Sequence, residues 1–589
     1  MCGILITSHL EGPFHHRLLK TLRKRGPDEI GFWMDNFVQI GHSRLAIIGL
    51  DDRSTEPLEN DRHVLAFNGE IYNFLEIRDR LGALGDAQNG ANDAAVLLHA
   101  WTRWGEDILR ELVGFWAFAV YDKSTHKLVL ARDQFGVKPL YYWQEGRKLC
   151  VSSLIGTIVE ILGGAPDLNY EALSEYVLYQ FSMGDETFLK GIRKVMPGHL
   201  VEFDLASGAS QSRCYEDIFA PSAGFKEAAT AEWMEETRAR LKRSVLDSTV
   251  SDTSFTTFCS GGLDSSLITR IAGPEIAYHC NYSDPDCNET FYAKQAVEGT
   301  PTRLFVVNAE ESFDLVAALQ DIVSDFDEPT IGSVILPLDS LLAQVKRRYK
   351  VILTGTGGDE LFAGYVRYQL ALGECYQDSY RALYERMKHL SSVEERFEMC
   401  HRKGDPSFYK FFDSGVQQTF FRAYQQCRAD GGDLQAMLTF DRRYFLAGLL
   451  NIDDKMCGRH SLESRPSLLH QDFVRHLMKL DPRAFLTNGD IKPLLRLIAG
   501  GILPRSITHR ADKMGFTTPV GAFINQNAHR IREQLHDSKF RHLYDIQKMD
   551  FTAATKYSRE VFGLLLLDLW LNRYATVPAK ADRTLTAVV

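Results

Sequence analysis

The pattern of apolar and polar positions divides the chain into two stretches of different periodicity. Across residues 1–205, short strand-like apolar runs such as FWAFAVYD and KLVLARD alternate with a few helical patterns such as AAVLLHAWTRWG. This mixture predicts layered α+β structure with antiparallel strand pairing. Residues 206–225 carry Gly, Ser and Pro and are weakly periodic, so they are predicted to form a linker.

The second stretch, residues 226–589, has a different pattern. After a predicted helix, AATAEWMEETRARLKRSVLDS, the apolar runs FTTFC, IAYHCNY, TRLFVVN and KVILTGT alternate with helical segments. Strand–helix alternation is typical of a parallel sheet with helices on both faces. From about residue 366 the pattern is mostly helical. The second stretch is therefore predicted to be an α/β domain with a helical extension.

Composition narrows the function classes. The net charge of -10 over 589 residues favours neither nucleic acid nor an anionic membrane surface as a partner. No apolar run reaches the roughly 18 residues needed to span a bilayer, and the start lacks signal-peptide features. Ten cysteines without a CxxC pair predict neither a disulfide scaffold nor a zinc ribbon. A reducing cytoplasm is the expected location.

A glycine-rich stretch, SGGLDSS at 260–266, follows one strand-like run and precedes a helical one. Gly261 and Gly262 allow a tight turn and close approach to a ligand, and the N–H groups of the next helix would face an anion. Asp264 can hold magnesium. The alternative is a plain strand–helix turn. The stretch is not a Walker loop, and it resembles the pyrophosphate loop of the ATP pyrophosphatases. Its hydroxyl donors are Ser260, Ser265 and Ser266.

A second glycine-rich stretch, LTGTGGDELFAGY at 353–365, also ends an apolar run. Both turns would open into one crevice, because ligands of open α/β sheets bind at the carboxyl ends of the strands. Asp359 could share a magnesium ion with Asp264. The alternative is an acidic helix N-terminus. Further along, Lys492 and Lys513 could offset negative charge on phosphate, although lysines are usually solvated surface residues.

Taken together, these motifs resemble the glutamine-dependent asparagine synthetases of the bacterial B type. The resemblance is dense over about 1–145 and 255–365 and implies an Ntn-type αββα glutaminase sandwich at 1–205. It also implies an ATP-pyrophosphatase synthetase domain, of the adenine nucleotide alpha hydrolase kind, at 226–589. The matching segments follow the family's order: Met1–Ile4, Arg25–Asp28, Arg44–Ile48, Phe67–Asn73, Ser260–Ser266, Gly355–Tyr365 and Lys492–Phe516.

For the first domain, the resemblance implies that removal of Met1 exposes Cys2 as a nucleophile whose own α-amine is the base. An α-amine titrates near neutral pH, so it suits this task better than a lysine. Attack on glutamine would give a thioester and ammonia. The Asn68 side chain and the Gly69 N–H would form the oxyanion hole, although an Asn-Gly hairpin turn is the alternative. The other implied glutamine-binding residues are Arg44, Leu45, Ile48, Glu70 and Asp93.

For the second domain, the resemblance implies that ATP activates a carboxylic acid as an acyl-adenylate, with Mg²⁺ as the expected cofactor. Ammonia channelled from the first site would then displace AMP, and Lys492 would stabilise the charged transition state. The oligomeric state is left open, with a homodimer among the alternatives. The implied ATP-binding positions beyond the first glycine-rich loop are Phe258, Cys280, Thr354, Gly355 and Asp359.

The acceptor region departs from the family. Thr356 stands where the family has a glutamate, and His470 stands where it has an aspartate. Glu360 and Glu289 are further acceptor-site candidates. The resemblance implies that Glu289 matches an acidic position beside the pyrophosphate. Aspartate is the expected acid. The runner-up is the same chemistry on a sugar uronate, an amino-acid derivative or a peptide, as in polysaccharide, cell-wall or natural-product biosynthesis. A third alternative is a non-catalytic glutamine or nucleotide sensor.

Overall fold

The computed structural model describes residues 1–10, 14–50, 54–83, 92–220, 226–282, 284–309, 313–329, 332–428, 432–487, 489–510, 518–549 and 559–575.

The first 214 residues form two stacked antiparallel sheets. Over the described residues, the strands are β1 (Gly3–Ser8), β2 (Glu29–Met34), β3 (Gln39–Arg44), β4 (Leu58–Glu59), β5 (His63–Ile71), β6 (Gly114–Asp122), β7 (Lys127–Arg132), β8 (Tyr141–Glu145), β9 (Lys148–Ser152), β10 (Ile192–Lys194), β11 (His199–Asp204) and β12 (Ser210–Cys214). One sheet has the order β10-β8-β9-β1-β3-β2 and the other β12-β11-β7-β6-β5-β4. The helices are α1 (Phe14–Leu22), α2 (Phe74–Ala83), α3 (Asp93–Trp104), α4 (Ile155–Leu162) and α5 (Tyr170–Tyr179).

Strand β1 shows why this unit has four layers. Ile4 and Ile6 belong to the apolar core between the two sheets, whereas Leu5 belongs to the core beneath the helices. Successive side chains of a strand point to opposite faces, so a strand covered on both sides is apolar throughout. Helices α1 and α4 pack on the sheet of β1, and α3 packs on the sheet of β5. The predicted αββα sandwich is confirmed.

Residues 210–214 differ from the prediction of a linker over 206–225. They form β12, which pairs with β11 at the edge of the second sheet. All five residues of β12 are exposed. An exposed edge strand needs no apolar face, and its polar sequence SQSRC therefore gave no strand signal.

The second half is built on a parallel sheet of β13 (Phe255–Phe258), β14 (Ile276–Asn281), β15 (Arg303–Asn308), β16 (Val351–Thr354) and β17 (Glu463–Pro466). The spatial order is β15-β14-β13-β16-β17. Strands β14 and β15 follow β13 on one side, and β16 and β17 lie on its other side. The topological switch point is therefore between β13 and β16. The predicted α/β class is confirmed.

The remaining helices flank this sheet or form the extension. They are α6 (Ala231–Asp247), α7 (Leu263–Ala272), α8 (Thr290–Val297), α9 (Leu315–Val323), α10 (Ile335–Val345), α11 (Gly358–Leu361), α12 (Arg367–Ala371), α13 (Arg381–Met387), α14 (Val393–His401), α15 (Val416–Cys427), α16 (Gly432–Phe440), α17 (Leu446–Arg459), α18 (Gln471–Leu477), α19 (Pro493–Ile498), α20 (Arg505–Thr508), α21 (Val520–Gln526), α22 (Ala528–Asp537) and α23 (Arg559–Tyr574). None of the helices in the described ranges has the length and apolarity to cross a membrane.

Candidate active sites

Cys2 lies immediately before β1, a central strand of its sheet, and its backbone is held on both sides. Its N–H donates to Asn68 Oδ1 at 3.0 Å, and its carbonyl accepts from Arg25 Nε at 3.0 Å. The side chain of Met1 is buried next to it, with Sδ 3.8 Å from an Arg25 nitrogen. Once Met1 is cleaved, the new α-amine would stand at the atom that now contacts Asn68.

The side-chain amide of Asn68 has a hydrogen-bond donor that could bind a ligand. The residue lies within β5, and its buried Nδ2 has no hydrogen-bond partner among the residues that the structure describes. A buried unsatisfied donor is costly and points to a ligand. At Gly69 a Cβ atom would lie 2.3 Å from the Phe115 carbonyl, so only glycine fits against β6 there. The alternative of an Asn-Gly hairpin turn is wrong, because both residues pair with β6 inside a continuous strand.

The predicted chemistry of Cys2 needs a base close by. Burial raises the pKa of the Cys2 thiol, which disfavours the thiolate. Burial lowers the pKa of the Met1 amine to about 6, against the opposing influence of Glu463. The Met1 amine is therefore largely unprotonated at neutral pH.

Of the predicted glutamine-binding residues, Asn68 contacts Cys2, and Arg44 is already paired. Arg44 donates to Glu29 at 3.0 Å and to the Ile48 carbonyl at 3.1 Å. Its terminal nitrogen also contacts the Gly49 carbonyl. Leu45 and Ile48 are buried, as expected for a pocket lining.

The two predicted ammonium-binding carboxylates, Asp93 and Glu70, are both buried. Asp93 accepts from the Ile71 N–H at 3.1 Å, and burial raises its pKa to about 6. Glu70 accepts from Arg465 at 2.7 Å. Burial raises the pKa of Glu70 well above its usual range, although Arg465 opposes the shift.

Arg465 ties the two halves together, and the sequence did not single it out. It lies in β17 of the parallel sheet and is fully buried. Its Nε donates to Glu463 at 2.8 Å while its other branch reaches Glu70 of the sandwich. Glu463 also lies 3.5 Å from Lys138 Nζ. The only sequence signal was a pair of opposite charges, Glu463 and Arg465, two positions apart.

The first glycine-rich loop follows β13 and enters α7, as predicted. Ser260 and Ser265 share a hydrogen bond of 2.9 Å between their hydroxyls, and Ser266 is buried. Gly262 caps α7 without a side-chain hydrogen bond, so the first N–H groups of this helix are not satisfied by a cap. Such a terminus suits phosphate. Phe258 and Cys280 lie at the carboxyl ends of β13 and β14.

The second glycine-rich loop meets the first across the switch point. A Cβ atom at Gly355 would lie 3.0 Å from Asp264 Cβ and 3.3 Å from the Ser265 nitrogen. The loop begins at Thr354, which ends β16 and is buried. The two loops thus share one crevice, as the strand pattern predicted.

Lys492 joins the two predicted metal-binding aspartates. Its Nζ lies 2.6 Å from Asp264 Oδ2 and 2.8 Å from Asp359 Oδ1, and only 2% of its side chain is exposed. Burial alone would lower the pKa of Lys492, but the two carboxylates raise it above its usual range. At Gly364 a Cβ atom would lie 2.0 Å from Asp359 Oδ1 and 2.3 Å from Lys492 Cε, so glycine is required for this approach.

This donor set fits magnesium. The described residues contain no cluster of three or more His, Cys, Asp or Glu side chains able to hold a metal. Two carboxylates are enough for Mg²⁺, which usually keeps several waters and completes its shell with substrate phosphates. Asp359 keeps 31% of its side chain exposed, which leaves it accessible from the crevice.

Three further residues were predicted for the second site: Lys513, Glu289 and Glu360. Lys513 lies outside the described residues. Glu289 pairs with Arg510 at 2.7 Å at the start of α8. The helix itself packs against the first glycine-rich loop, since a Cβ at Gly261 would lie 2.6 Å from the Ala293 nitrogen. Glu360 is buried and accepts from the Tyr365 hydroxyl.

Thr356, the position that departs from the family, faces a carboxylate that the sequence analysis missed. Its hydroxyl donates to Asp453 Oδ2, and the Thr354 hydroxyl donates to the same oxygen at 3.3 Å. Asp453 lies on α17. Its only signal in the sequence was an acidic pair, Asp453–Asp454, in an apolar helix. His470, the other departure, contacts Asp247 at 3.0 Å and caps α18.

Asp454 faces the glutaminase site instead. Its carboxylate binds Arg25 at 2.8 Å, and Arg25 in turn donates to the Cys2 carbonyl. Arg25 and Asp454 are both buried. Consecutive residues of α17 therefore contact the surroundings of both candidate sites.

Known proteins match both halves. Residues 1–215 match the glutamine amidotransferase domain family, and residues 236–572 match the asparagine synthase family. The glutamine-hydrolyzing asparagine synthetase 1 of Bacillus subtilis (strain 168) is 28% identical over 588 residues, covering 93% of this chain and 91% of the relative. A putative asparagine synthetase of Mycobacterium tuberculosis (strain ATCC 25618 / H37Rv) is 29% identical over 610 residues, covering 93% and 92%.

A more distant relative has a different name. The amidase chyE of Penicillium rubens is 26% identical over 386 residues, covering 61% of this chain and 56% of the relative. The asparagine synthase match alone spans more than half of the sequence. The chain belongs to the asparagine synthase family, with a glutamine amidotransferase domain at its amino-terminal end.

Proposed function

We propose that this protein is a glutamine-dependent amide ligase that consumes ATP. Glutamine and water would give glutamate and ammonia at Cys2. ATP and a carboxylic acid would give an acyl-adenylate and pyrophosphate at the second site, and ammonia would displace AMP. The observation that carries the proposal is helix α17, whose Asp454 binds the Arg25 that donates to the Cys2 carbonyl and whose Asp453 accepts from Thr354 and Thr356 of the second glycine-rich loop.

Each site has the groups that its half of the reaction requires. In the first, Asn68 Nδ2 has no partner in the described part of the chain and is available to stabilise an oxyanion beside Cys2. In the second, the start of α7 would receive phosphate, and Lys492 would offset negative charge near phosphorus. Asp264 and Asp359 would hold Mg²⁺, which when bound neutralises charge on the phosphates of ATP.

Aspartate is the acid that we propose first. A second candidate is the same chemistry on a sugar uronate, an amino-acid derivative or a peptide. The observation that favours it is the pairing of Thr356 with Asp453, because this pair replaces the loop glutamate of the family. The homodimer and the cytoplasmic location stay predictions.

The test is a panel of carboxylic acids supplied with MgATP and ¹⁵N-amide glutamine. Pyrophosphate release that depends on one acid, with ¹⁵N in its amide, would support the ligase. If aspartate fails and another acid succeeds, the second candidate replaces the first. If no acid releases pyrophosphate, the ligase proposal fails and the sensor alternative gains support.

Cys2→Ala separates the two half-reactions. The variant is expected to lose glutamine-dependent amide formation by at least about 1,000-fold, because no other group can form the thioester. Synthesis from added ammonium salts should remain. If both nitrogen sources fail in a folded variant, the two-site scheme is wrong.

A further inference from the structure

Asp453, which is partly buried, differs from the fully buried charges beside it. Its neighbours on α17 are both ion-paired: Asp454 binds Arg25 at 2.8 Å, and Lys455 binds Asp327. Within the described ranges, Asp453 has no basic side chain within ion-pair distance, and its hydrogen-bond partners are the hydroxyls of Thr354 and Thr356. A carboxylate removed from water without a cation is unfavourable. Such a group is a candidate for function rather than for stability.

The position of Asp453 is at the synthetase crevice. Its two hydroxyl partners flank Gly355, and Gly355 lies against Asp264 and Ser265 of the pyrophosphate loop. This is the carboxyl edge of the parallel strands at the switch point, where α/β folds bind their ligands. The side chain is only partly buried, so a small molecule in the crevice can reach it.

The same helix also points toward the source of ammonia. Asp454 follows directly in the chain and contacts Arg25, which holds the Cys2 carbonyl. One turn later, a Cβ at Gly458 would lie 2.9 Å from the same guanidinium. On helix α17, Asp454 and Gly458 thus lie against Arg25 of the glutaminase site. Asp453 lies against the second glycine-rich loop of the synthetase site.

We propose that Asp453 accepts the proton of the ammonia that attacks the acyl-adenylate, with Thr354 and Thr356 as positioning residues. This inference rests on the proposed ligase function. A bond forms between nitrogen and the acyl carbon, and the bond from that carbon to the AMP oxygen breaks. AMP leaves with the electron pair, and one N–H proton passes to the carboxylate of Asp453.

The basicity of Asp453 is consistent with this role. Burial raises its pKa to about 6, and the two threonine hydroxyls limit the shift. The carboxylate is therefore ionised at neutral pH yet more basic than an ordinary aspartate. A general base is most effective when its pKa lies near the working pH.

The experiment compares two rates in the same protein sample. Acid-dependent exchange of pyrophosphate into ATP reports adenylate formation and needs no ammonia, whereas amide formation needs both steps. For Asp453→Asn, amide formation should fall on the order of 100-fold while exchange stays within about threefold of the original chain. Thr356→Val, which removes one positioning hydroxyl, should reduce amide formation by about tenfold.

Asp568→Asn is the matched control. Asp568 is fully buried, accepts from Gln534 at 2.9 Å and from Ser538, and has a pKa raised by burial to about 6. It lies on α23, which packs against α9, α21 and α22. Its substitution should leave the ratio of amide formation to exchange unchanged, because any loss of folded protein lowers both rates together.

The outcomes separate this inference from the proposed function. If the original chain shows exchange and Asp453→Asn makes amide at the original rate, the proton-acceptor role is wrong while the ligase stands. If Asp453→Asn instead raises the KM for the acid in exchange, Asp453 binds the acid and the inference is overturned. If the original chain shows no exchange with any acid, both proposals fall.

Discussion

The two candidate sites are assembled in different ways. Cys2, Arg44 and Asn68 lie at or within β1, β3 and β5, so a backbone ladder and the stacked sheets set their positions. Lys492 and Asp264 come from segments far apart in the chain and are brought together by charge. The first site is thus defined by strand geometry and the second by ion pairing. Removing one side chain from the first site should therefore affect its chemistry alone. Removing one side chain from the second site should also change the arrangement of the neighbouring charges.

The largest expected effect is at Lys492. Lys492→Met removes the cation between Asp264 and Asp359, so the two carboxylates repel each other and phosphate charge is no longer offset. Acid-dependent pyrophosphate exchange should fall by about 1,000-fold or more, while glutamine hydrolysis at Cys2 persists. Lys388→Met is the control, because Lys388 is an exposed lysine paired with Glu385. Exchange that survives in Lys492→Met would show that this cation is structural only.

Asn68→Ala tests the strand-built site. Loss of the Nδ2 donor should lower kcat of glutamine hydrolysis by about 100- to 1,000-fold, with pyrophosphate exchange unchanged. Steady-state glutamate release measures the effect. The control is Asn169→Ala, which removes a helix cap at α5 and should cost about 1 kcal/mol of stability without affecting hydrolysis. A change in KM alone would assign Asn68 to substrate binding instead.

Arg465→Met tests the contact between the two halves of the chain that Arg465 makes with Glu70. The substitution leaves Glu70 buried without its cation and Glu463 with Lys138 alone, so the free energy of unfolding should fall by about 3–5 kcal/mol. Urea denaturation gives the measurement. Arg475 also bridges the halves, at 2.9 Å from Glu216, but it is partly exposed. Arg475→Met should therefore cost about 1 kcal/mol or less, and equal losses would contradict the argument from burial.

A pH dependence of stability is expected at Glu56. Burial raises its pKa to about 8, against the opposing charge of His42, and its Oε2 accepts from the Phe67 N–H at 2.6 Å. The folded state therefore holds this proton more tightly than the unfolded state, whose glutamate pKa is near 4.3. Stability from this group is full below the unfolded value and is lost as pH rises toward 8.

Glu56→Gln keeps the hydrogen-bond acceptor but cannot ionise. Its free energy of unfolding relative to the original chain should increase by at least about 1 kcal/mol between pH 5 and pH 8. Urea denaturation at the two pH values measures the difference. A constant difference would mean that Glu56 is not protonated in the folded chain.

Much of this architecture was readable before the structure. The apolar runs predicted the antiparallel and parallel sheets, and the two glycine-rich loops met at one crevice as their strand positions required. The linker prediction failed at β12, because an exposed edge strand has no apolar face to detect. Arg465 and Asp453 were missed because the sequence around a charged residue does not show which residue its side chain contacts in the fold.

The sequence by itself determined the order of the elements, the two sheet classes and the family. It could do so because apolar periodicity and glycine placement are local properties of the chain. The tertiary structure decided which charges meet. Asp453 and Asp454 are adjacent and chemically identical, yet one contacts two threonine hydroxyls near the synthetase loop and the other an arginine at the glutaminase site. Adjacent residues of a helix point about 100° apart, so only the packing around α17 could assign them different partners.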